Sequence, residues 1–303
     1  MKELQSQIQS IIQTANAAFG VSIHHLESDE TLHINPERPF PLCSVLKIPV
    51  LCEAFRQMEE GAFTLEDRWP LTFPEKNIGS GILTYLKDGL EPTVYDLLLL
   101  MIVISDNTAT DMVMNRLGVA KIDDFMKQLG LANIHMTMTI RGIFEDMGSE
   151  FADPTWRLTN LDSPKATPPA RYDGRAFSDG PENNVSTSQD MTQLLALIFR
   201  GEVVNRSACD QMLHILLQQQ LNQRLPRFLP EGTPFAHKTG TLSGIRNDAG
   251  ILYVSETCHV AVTAFCRWDT EAVKDDPVAE HERIHQIDSA FGAIGKAVYD
   301  AYA

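Results

Sequence analysis

The amino-acid sequence predicts an α/β (α+β) fold with two lobes, one built on an antiparallel sheet and the other entirely helical. Three observations favour it: strand-like segments lie near both ends of the 303-residue chain, helical segments fill the middle, and the terminal segments have amphipathic helical spacing. The simplest packing joins the end strands in one sheet covered by the terminal helices. We therefore predict a single domain, with an α/β lobe from about 1–40 and 205–303 and a helical lobe over about 41–204.

The N-terminal part of the chain predicts a helix, two strands and a second helix. Residues 2–17 place apolar side chains on one helical face. FGVSIHHLE and ETLHINP are strand candidates separated by the turn-prone SDE. SVLKIPVLCEAFRQMEEG has a helical apolar rhythm and ends at Gly61, a residue suited to a helix C-terminal cap.

The middle of the chain predicts further helices and then a long loop. TVYDLLLLMIVISDN is apolar on every face, which is typical of a buried helix, and TATDMVMNRLG and VAKIDDFMKQLGL predict two more. Residues 141–186 carry many prolines and glycines and show little periodicity. We expect a loop there, and a loop of that length is usually functional or mobile.

The C-terminal part predicts one helix, three strands and a closing helix. STSQDMTQLLALIFRGE offers a capping residue before an apolar helical run. PFAHKTGTLSG, NDAGILYVS and HVAVTAFCRW predict strands, the last two as an antiparallel pair, and HERIHQIDSAFGAIGKAVYDAYA predicts the last helix.

Composition excludes several classes of protein. A net charge of -15, without clustered Lys or Arg, argues against nucleic-acid binding. No histidine pattern such as HExxH predicts a metal site, and we expect no cofactor and no membrane segment. The five cysteines include no CxxC pair, and with no signal segment visible we expect free thiols and a cytoplasmic protein, or a periplasmic or secreted one if a leader has been removed.

Three short motifs carry the chemistry. Ser44 and Lys47 form S-x-x-K, residues 105–107 form S-D-N, and residues 238–240 form K-T-G. An S-x-x-K alone arises often by chance, as a solvated serine and lysine on a helix. The three in this order, each at the edge of an element, are typical of class A β-lactamases and penicillin-binding proteins.

The residues themselves indicate a nucleophile and a base. A serine at a helix N-terminus lies at the positive end of the helix dipole, which favours negative charge developing on Ser44. Lys47, three residues later, can take the hydroxyl proton if burial and a second cation such as Lys238 lower its pKa. At Gly240 a side chain would block a substrate lying along the strand edge.

The segments PLCSVLKIP, TVYDLLLLMIVISDNTATDMVMNRLG and HKTGTLSGIRNDAGIL resemble the class A β-lactamase family over about residues 18–300. The resemblance implies that Ser105 relays a proton to the leaving nitrogen and that Asn107 binds the substrate amide. It also implies a carboxylate site and an oxyanion hole. Their residues are Lys238, Thr239 and Arg246 for the carboxylate, and the backbone N–H groups of Ser44 and Thr241 for the oxyanion.

One element of the family pattern is missing. Class A enzymes activate the deacylating water with a glutamate in an Arg-x-Glu-x-x-x-Asn loop, and the family register places that glutamate near Ile140. The nearest carboxylates are Glu145, Asp146 and Glu150. Glu145 is the candidate water activator, and a solvated loop acid is the equally ordinary alternative.

The sequence therefore predicts a serine hydrolase that acts through a covalent acyl-enzyme, with hydrolysis of the β-lactam amide as the leading activity on a small-molecule substrate. A D-Ala-directed peptidase, an amidase or an esterase on the same scaffold is one alternative. A penicillin-binding domain that acylates and deacylates only slowly is the other.

Overall fold

Strands from both ends of the chain meet in one antiparallel sheet. The computed structural model describes residues 1–148, 173–271, 273 and 275–303. The strands of the sheet are β1 (Ala18–His25), β2 (Thr31–Ile34), β5 (Phe235–Leu242), β6 (Ile245–Ser255) and β7 (Cys258–Arg267), and a second, two-stranded sheet pairs β3 (Pro39–Pro41) with β4 (Val185–Thr187). The large sheet has the order β2-β1-β7-β6-β5. The predicted joining of the end strands, with an antiparallel β6–β7 pair, is confirmed.

Helices occupy both faces of this sheet and the middle of the chain. In chain order they are α1 (Lys2–Ala15), α2 (Lys47–Glu59), α3 (Val94–Val103), α4 (Asn107–Leu117), α5 (Val119–Gln128), α6 (Ile140–Met147), α7 (Ser188–Arg200), α8 (Arg206–Leu216) and α9 (Pro277–Tyr302). No helix in the described ranges combines the length and apolar character needed to cross a membrane.

The sheet separates two hydrophobic cores. On β7, Val260, Val262 and Ala264 belong to the core shared with α1 and α9, whereas Ala261 and Phe265 belong to the larger core of the helical side. This alternation follows from the two-residue period of a strand, and burial on both faces explains the nearly continuous apolar sequence of β7.

Two helices differ from expectation. The loop predicted from residue 141 onward contains most of α6, whose buried residues Ile140, Ile143 and Met147 have helical spacing behind the N-cap Thr139. Helix α8 has no counterpart among the predicted elements, and its apolar face packs in the larger core. The lobe boundaries stay a prediction. The remainder of the expected loop, residues 149–172, lies outside the described residues.

Candidate active site

Ser44 lies on a tight turn in front of α2. The turn is a 3-10 helix over Cys43–Leu46, and the α-helix itself begins at Lys47. Residues i and i+3 eclipse each other in a 3-10 helix, so Ser44 and Lys47 keep a common side even though the α-helix starts later than predicted. Cys43 has a φ of 49°, a left-handed conformation that costs a non-glycine residue about 1 kcal/mol or more. The backbone in front of the nucleophile is therefore held in an unusual shape.

Lys47 is fully buried and donates three hydrogen bonds. Its Nζ lies 2.9 Å from Ser105 Oγ, 2.9 Å from Ser105 O and 3.0 Å from Asn107 Oδ1. These bonds use all three hydrogens of an ammonium group. The Lys47 amine must therefore lose a proton, and release one bond, before its lone pair can accept the hydroxyl proton of Ser44.

Ser105 connects the two lysines of the motifs. Lys238, also fully buried, donates to Ser105 Oγ at 3.1 Å and to Thr239 O at 2.9 Å. Ser105 has a φ of 58°, so it too occupies the left-handed region that favours glycine. The three motifs, far apart in sequence, thus converge on one hydroxyl group.

The surroundings of Lys47 and Lys238 favour a neutral amine on one of the two side chains. Burial lowers the pKa of Lys47 to about 7, although the carboxylates of Asp106 and Asp111 act in the opposite direction. Burial also lowers the pKa of Lys238, and the positive charges of Lys47 and Arg224 lower it further. Two lysines that share one acceptor titrate as a coupled pair, so near neutral pH one of them readily gives up a proton.

A cleft of about 410 Å³ opens beside Ser44. Its polar side includes Ser105, Asn107, Thr239 and Thr241. Its apolar lining comes chiefly from α6. The cleft therefore brings the predicted nucleophile, relay and substrate-binding residues to one surface.

Gly240 has a steric role within the protein itself, and its predicted role toward a substrate stays a prediction. A methyl group built on its Cα would lie 2.6 Å from the carbonyl oxygen of Leu42 and 3.1 Å from Cys43 Cβ. Any side chain at this position would push β5 away from the turn that carries Ser44. Glycine is thus needed for close packing behind the nucleophile, whether or not a substrate is bound.

Arg224 is a site residue that the sequence did not indicate. Its Nη1 donates to Gly240 O at 2.8 Å and to Asn247 O at 2.6 Å, and its Nη2 donates to Thr241 Oγ1. Asp288 lies 3.4 Å from its Nε. This guanidinium fixes the end of β5 and places positive charge behind Thr241. A single arginine in a polar stretch gives no local signal of such a role.

Arg246, near the start of β6, contacts the backbone around it and the ring of Trp268. Its Nη1 donates to Leu242 O and Ile245 O, each at 3.0 Å, and its guanidinium lies 5.4 Å from the ring centroid of Trp268. It does not line the cleft in the part of the chain that the structure describes. Its assignment as a carboxylate ligand stays a prediction.

Asp111 attaches α6 to α4. Its carboxylate accepts bonds from the backbone N–H groups of Ile140 and Arg141 and from Asn77 Nδ2, each at 2.8 Å. Burial raises the pKa of Asp111 to about 6. Removing the carboxylate would leave buried donors unpaired, so Asp111 holds α6 in place beside the cleft.

Glu145 is not brought into the cleft. Helix α6 presents Ile140, Ile143 and Phe144 to the cleft, while Glu145 is exposed. Asp146 accepts a bond from the Ala176 N–H at 2.8 Å and does not line the cleft either. Glu150 lies outside the described residues. Among the residues that the structure describes, the cleft is lined by no carboxylate.

Comparison with known proteins identifies this arrangement. The model of the beta-lactamase enzyme family matches residues 3–302. The chain belongs to this family. Like other members, it is a serine β-lactamase-type hydrolase, which confirms the predicted fold class and type of enzyme.

Individual β-lactamases are similar over most of the chain. The extended-spectrum beta-lactamase PER-1 of Pseudomonas aeruginosa is 25% identical over 284 residues, covering 89% of this chain and 81% of the relative. Beta-lactamase VEB-1 of the same organism is 23% identical over 250 residues, covering 80% and 73%. The crystal structure of a β-lactamase from Sphaerobacter thermophilus has a TM-score of 0.77 at 26% identity, covering 98% of this chain and 97% of that one.

Proposed function

We propose that this β-lactamase-type enzyme opens the β-lactam amide through an acyl-enzyme on Ser44 and hydrolyses that acyl-enzyme slowly. One observation carries the assignment of roles: Ser105 Oγ lies 2.9 Å from Lys47 Nζ and 3.1 Å from Lys238 Nζ at the edge of the cleft that Ser44 lines. These contacts support a relay through Ser105, and the proposal adds the proton transfer from Ser44 to Lys47.

Acylation begins with a neutral Lys47. Its lone pair accepts the Ser44 hydroxyl proton while Oγ forms a bond to the substrate carbonyl carbon. The carbonyl electrons move to oxygen, where the backbone N–H groups of Ser44 and Thr241 stabilise the charge. When the tetrahedral intermediate collapses, the C–N bond breaks and the nitrogen takes a proton from Ser105, which is resupplied by Lys47 or Lys238.

Asn107, Thr239 and Thr241 are the polar cleft residues that we assign to substrate binding. Asn107 Nδ2 donates one hydrogen to Ile78 O at 2.9 Å, and its second hydrogen is available for a substrate carbonyl. Thr239 and Thr241 line the cleft, with Lys238 beside the first and Arg224 bonded to the second. This end of β5 therefore suits a substrate carboxylate.

Slow deacylation is inferred from the lack of a base in the described part of the cleft, where α6 contributes apolar side chains. Hydrolysis of an ester such as acyl-Ser44 needs a base to activate water, and general bases contribute about 10²- to 10⁴-fold. The described cleft residues include no carboxylate that could serve. The second candidate function is a peptidase, amidase or esterase on this scaffold, which would form the same acyl-Ser44 intermediate from a different amide or ester.

The overall reaction is tested with nitrocefin and a short-chain p-nitrophenyl ester, using stopped-flow absorbance and intact-protein mass. We expect a burst of about one nitrocefin per enzyme, a mass increase equal to the ring-opened substrate, and slow turnover afterwards. Turnover of the ester without any nitrocefin adduct would instead support the second candidate. Turnover of neither substrate, with no adduct, would contradict both.

The rate of acylation should increase with pH. The pKa of Lys47 is lowered to about 7, and only the neutral amine accepts a proton, so the rate should fall by about tenfold per unit below pH 7 and level off above it. The burst rate measured between pH 5.5 and 8.5 tests this. A rate that is flat or decreases across that range would exclude Lys47 as the base.

Replacing Glu145 should leave deacylation unchanged. The side chain is exposed and does not line the cleft, so Glu145→Gln removes no water activator. The lifetime of the acyl-enzyme, followed by intact mass after excess substrate is removed, should match that of the unmodified protein within about twofold. A lifetime lengthened tenfold or more would restore Glu145 as the activating base.

A further inference from the structure

Ser80 is a cleft residue that belongs to none of the three motifs. It lies between Gly79 and Gly81 in the segment before α3 and lines the cleft. Its Oγ donates a hydrogen bond to the backbone carbonyl of Ser105 at 2.8 Å, and its own carbonyl accepts the N–H of Asn107 at 2.9 Å. Ser80 is thus bonded to the first and the last residue of the S-D-N motif.

The position of Ser80 is fixed by close packing against the same motif. The carboxylate of Asp106 accepts the N–H groups of Ile82 at 2.6 Å and of Leu83 at 2.9 Å. Gly81 has a φ of 113°, and a methyl group built on it would collide with the carboxylate and the Cα of Asp106. Because glycine allows both this conformation and this close approach, the turn keeps the Ser80 hydroxyl beside the motif.

The backbone carbonyl of Ser105 has a second donor in Lys47. Lys47 Nζ lies 2.9 Å from this oxygen, so the carbonyl accepts two hydrogen bonds, one from Lys47 and one from Ser80. A carbonyl oxygen has two lone pairs, and both are used here. If the bond from Lys47 is lost, the oxygen keeps the bond from Ser80.

Deprotonation of Lys47 releases one of its three acceptors. A neutral amine has two N–H groups and one lone pair, and the lone pair must face Ser44 during attack. The bond to Ser105 Oγ connects the amine to the proposed relay, and the bond to Asn107 Oδ1 orients the amide assigned to substrate binding. The bond to Ser105 O has neither role, and its acceptor stays bonded to Ser80. It is therefore the least costly bond to give up.

From these contacts we propose that Ser80 is a positioning residue for the base: it holds the Ser105 carbonyl, so that neutral Lys47 can release this acceptor and turn its lone pair toward Ser44. The inference rests on the proposed function, in which Lys47 accepts the Ser44 proton. Without the Ser80 hydroxyl, the carbonyl would depend on the ammonium form of Lys47. Removing the hydroxyl should therefore favour the protonated, inactive form of the base.

The charged groups that face Lys47 are not altered by a change at Ser80. The carboxylates of Asp106, the N-cap of α4, and Asp111, within α4, favour the ammonium form of Lys47. The ammonium group of Lys238, on β5, disfavours it, because two positive charges repel each other. Ser80 carries no charge, so its replacement tests the hydrogen bond and leaves these charges in place.

The Ser80→Ala variant tests the inference through the pH dependence of acylation. The midpoint of the increase in nitrocefin burst rate, measured between about pH 5.5 and 9.5, should shift upward by about half to one pH unit, the size of one hydrogen bond. Below the midpoint the rate should fall roughly 3- to 10-fold, whereas at high pH it should stay within about twofold of the unmodified protein. The conservative variant Ser80→Thr retains the hydroxyl and should keep the original midpoint.

The possible outcomes separate this inference from the proposed function. An unchanged midpoint in Ser80→Ala, or an equal shift in Ser80→Thr, overturns the inference and leaves the proposed function standing. A lower rate at every pH with the same midpoint also overturns it, because a displaced turn would slow acylation without changing the charge of Lys47. The midpoint does not depend on the amount of folded protein, so a loss of stability cannot produce the shift. An unmodified protein that forms no adduct at any pH contradicts the proposed function itself.

Discussion

Ser44→Ala is expected to abolish the formation of the acyl-enzyme. The variant removes the only oxygen that we assign to attack, so the burst with nitrocefin should disappear and acylation should fall by at least about 10⁴-fold. Intact mass should show the unmodified protein after prolonged incubation. The three hydrogen bonds donated by Lys47 go to Ser105 and Asn107, not to Ser44. The variant should therefore keep these bonds and the positions of the three side chains.

The matched control is Ser243→Ala, in the turn between β5 and β6. This serine is outside the proposed machinery, and its replacement should leave the burst amplitude and rate unchanged within about twofold. An adduct of normal yield on the Ser44→Ala protein, located by peptide mapping to another residue, would refute the assignment of the nucleophile.

Ile140→Glu is expected to accelerate deacylation by about 10²- to 10⁴-fold, the range typical of a general base. Position 140 begins α6 and lines the cleft that contains Ser44, so a carboxylate there can reach a water molecule near the ester. The matched control is Ile140→Gln, which has the same shape and hydrogen-bonding reach but no basic group. Equal deacylation rates in the two variants would show that the lack of a base does not limit deacylation.

The new glutamate would also interact with Asp111. Because Asp111 accepts the N–H of residue 140 at 2.8 Å, its carboxylate lies near the start of α6, and its negative charge would disfavour ionisation of a glutamate there. The base works only when ionised, so deacylation in Ile140→Glu should increase with pH through an apparent pKa above that of an ordinary glutamate. The Ile140→Gln variant should not show this increase.

The parts of the site that could be predicted are those with local sequence signals. Ser44, Ser105 and Lys238 each belong to a motif of three or four residues, and the structure brings all three motifs to one cleft. The pairing of β6 with β7 could be predicted as well, because the two strands are adjacent apolar runs joined by a short turn.

The remaining parts depend on contacts between distant segments. Arg224 acquires its role only because β5 and β6 present carbonyl groups to it, and Asp111 only because α6 packs against α4. Helix α6 is eight residues long, contains a glycine and adjoins a proline-rich stretch, so its periodicity was too brief to stand out. That position 140, where the family register places a glutamate, is an isoleucine could be noticed in sequence, but the apolar surface that α6 gives to the cleft required the structure.

In the proposed function Ser44 acylates readily and its ester is then hydrolysed slowly. Nitrocefin, followed by stopped-flow absorbance and time-resolved intact mass in the same reaction, tests both steps most directly. We predict a rapid burst of about one equivalent, a matching adduct on the peptide containing Ser44, and an adduct that persists long after the burst. A linear time course without a burst, and no detectable adduct at any time, would contradict this account.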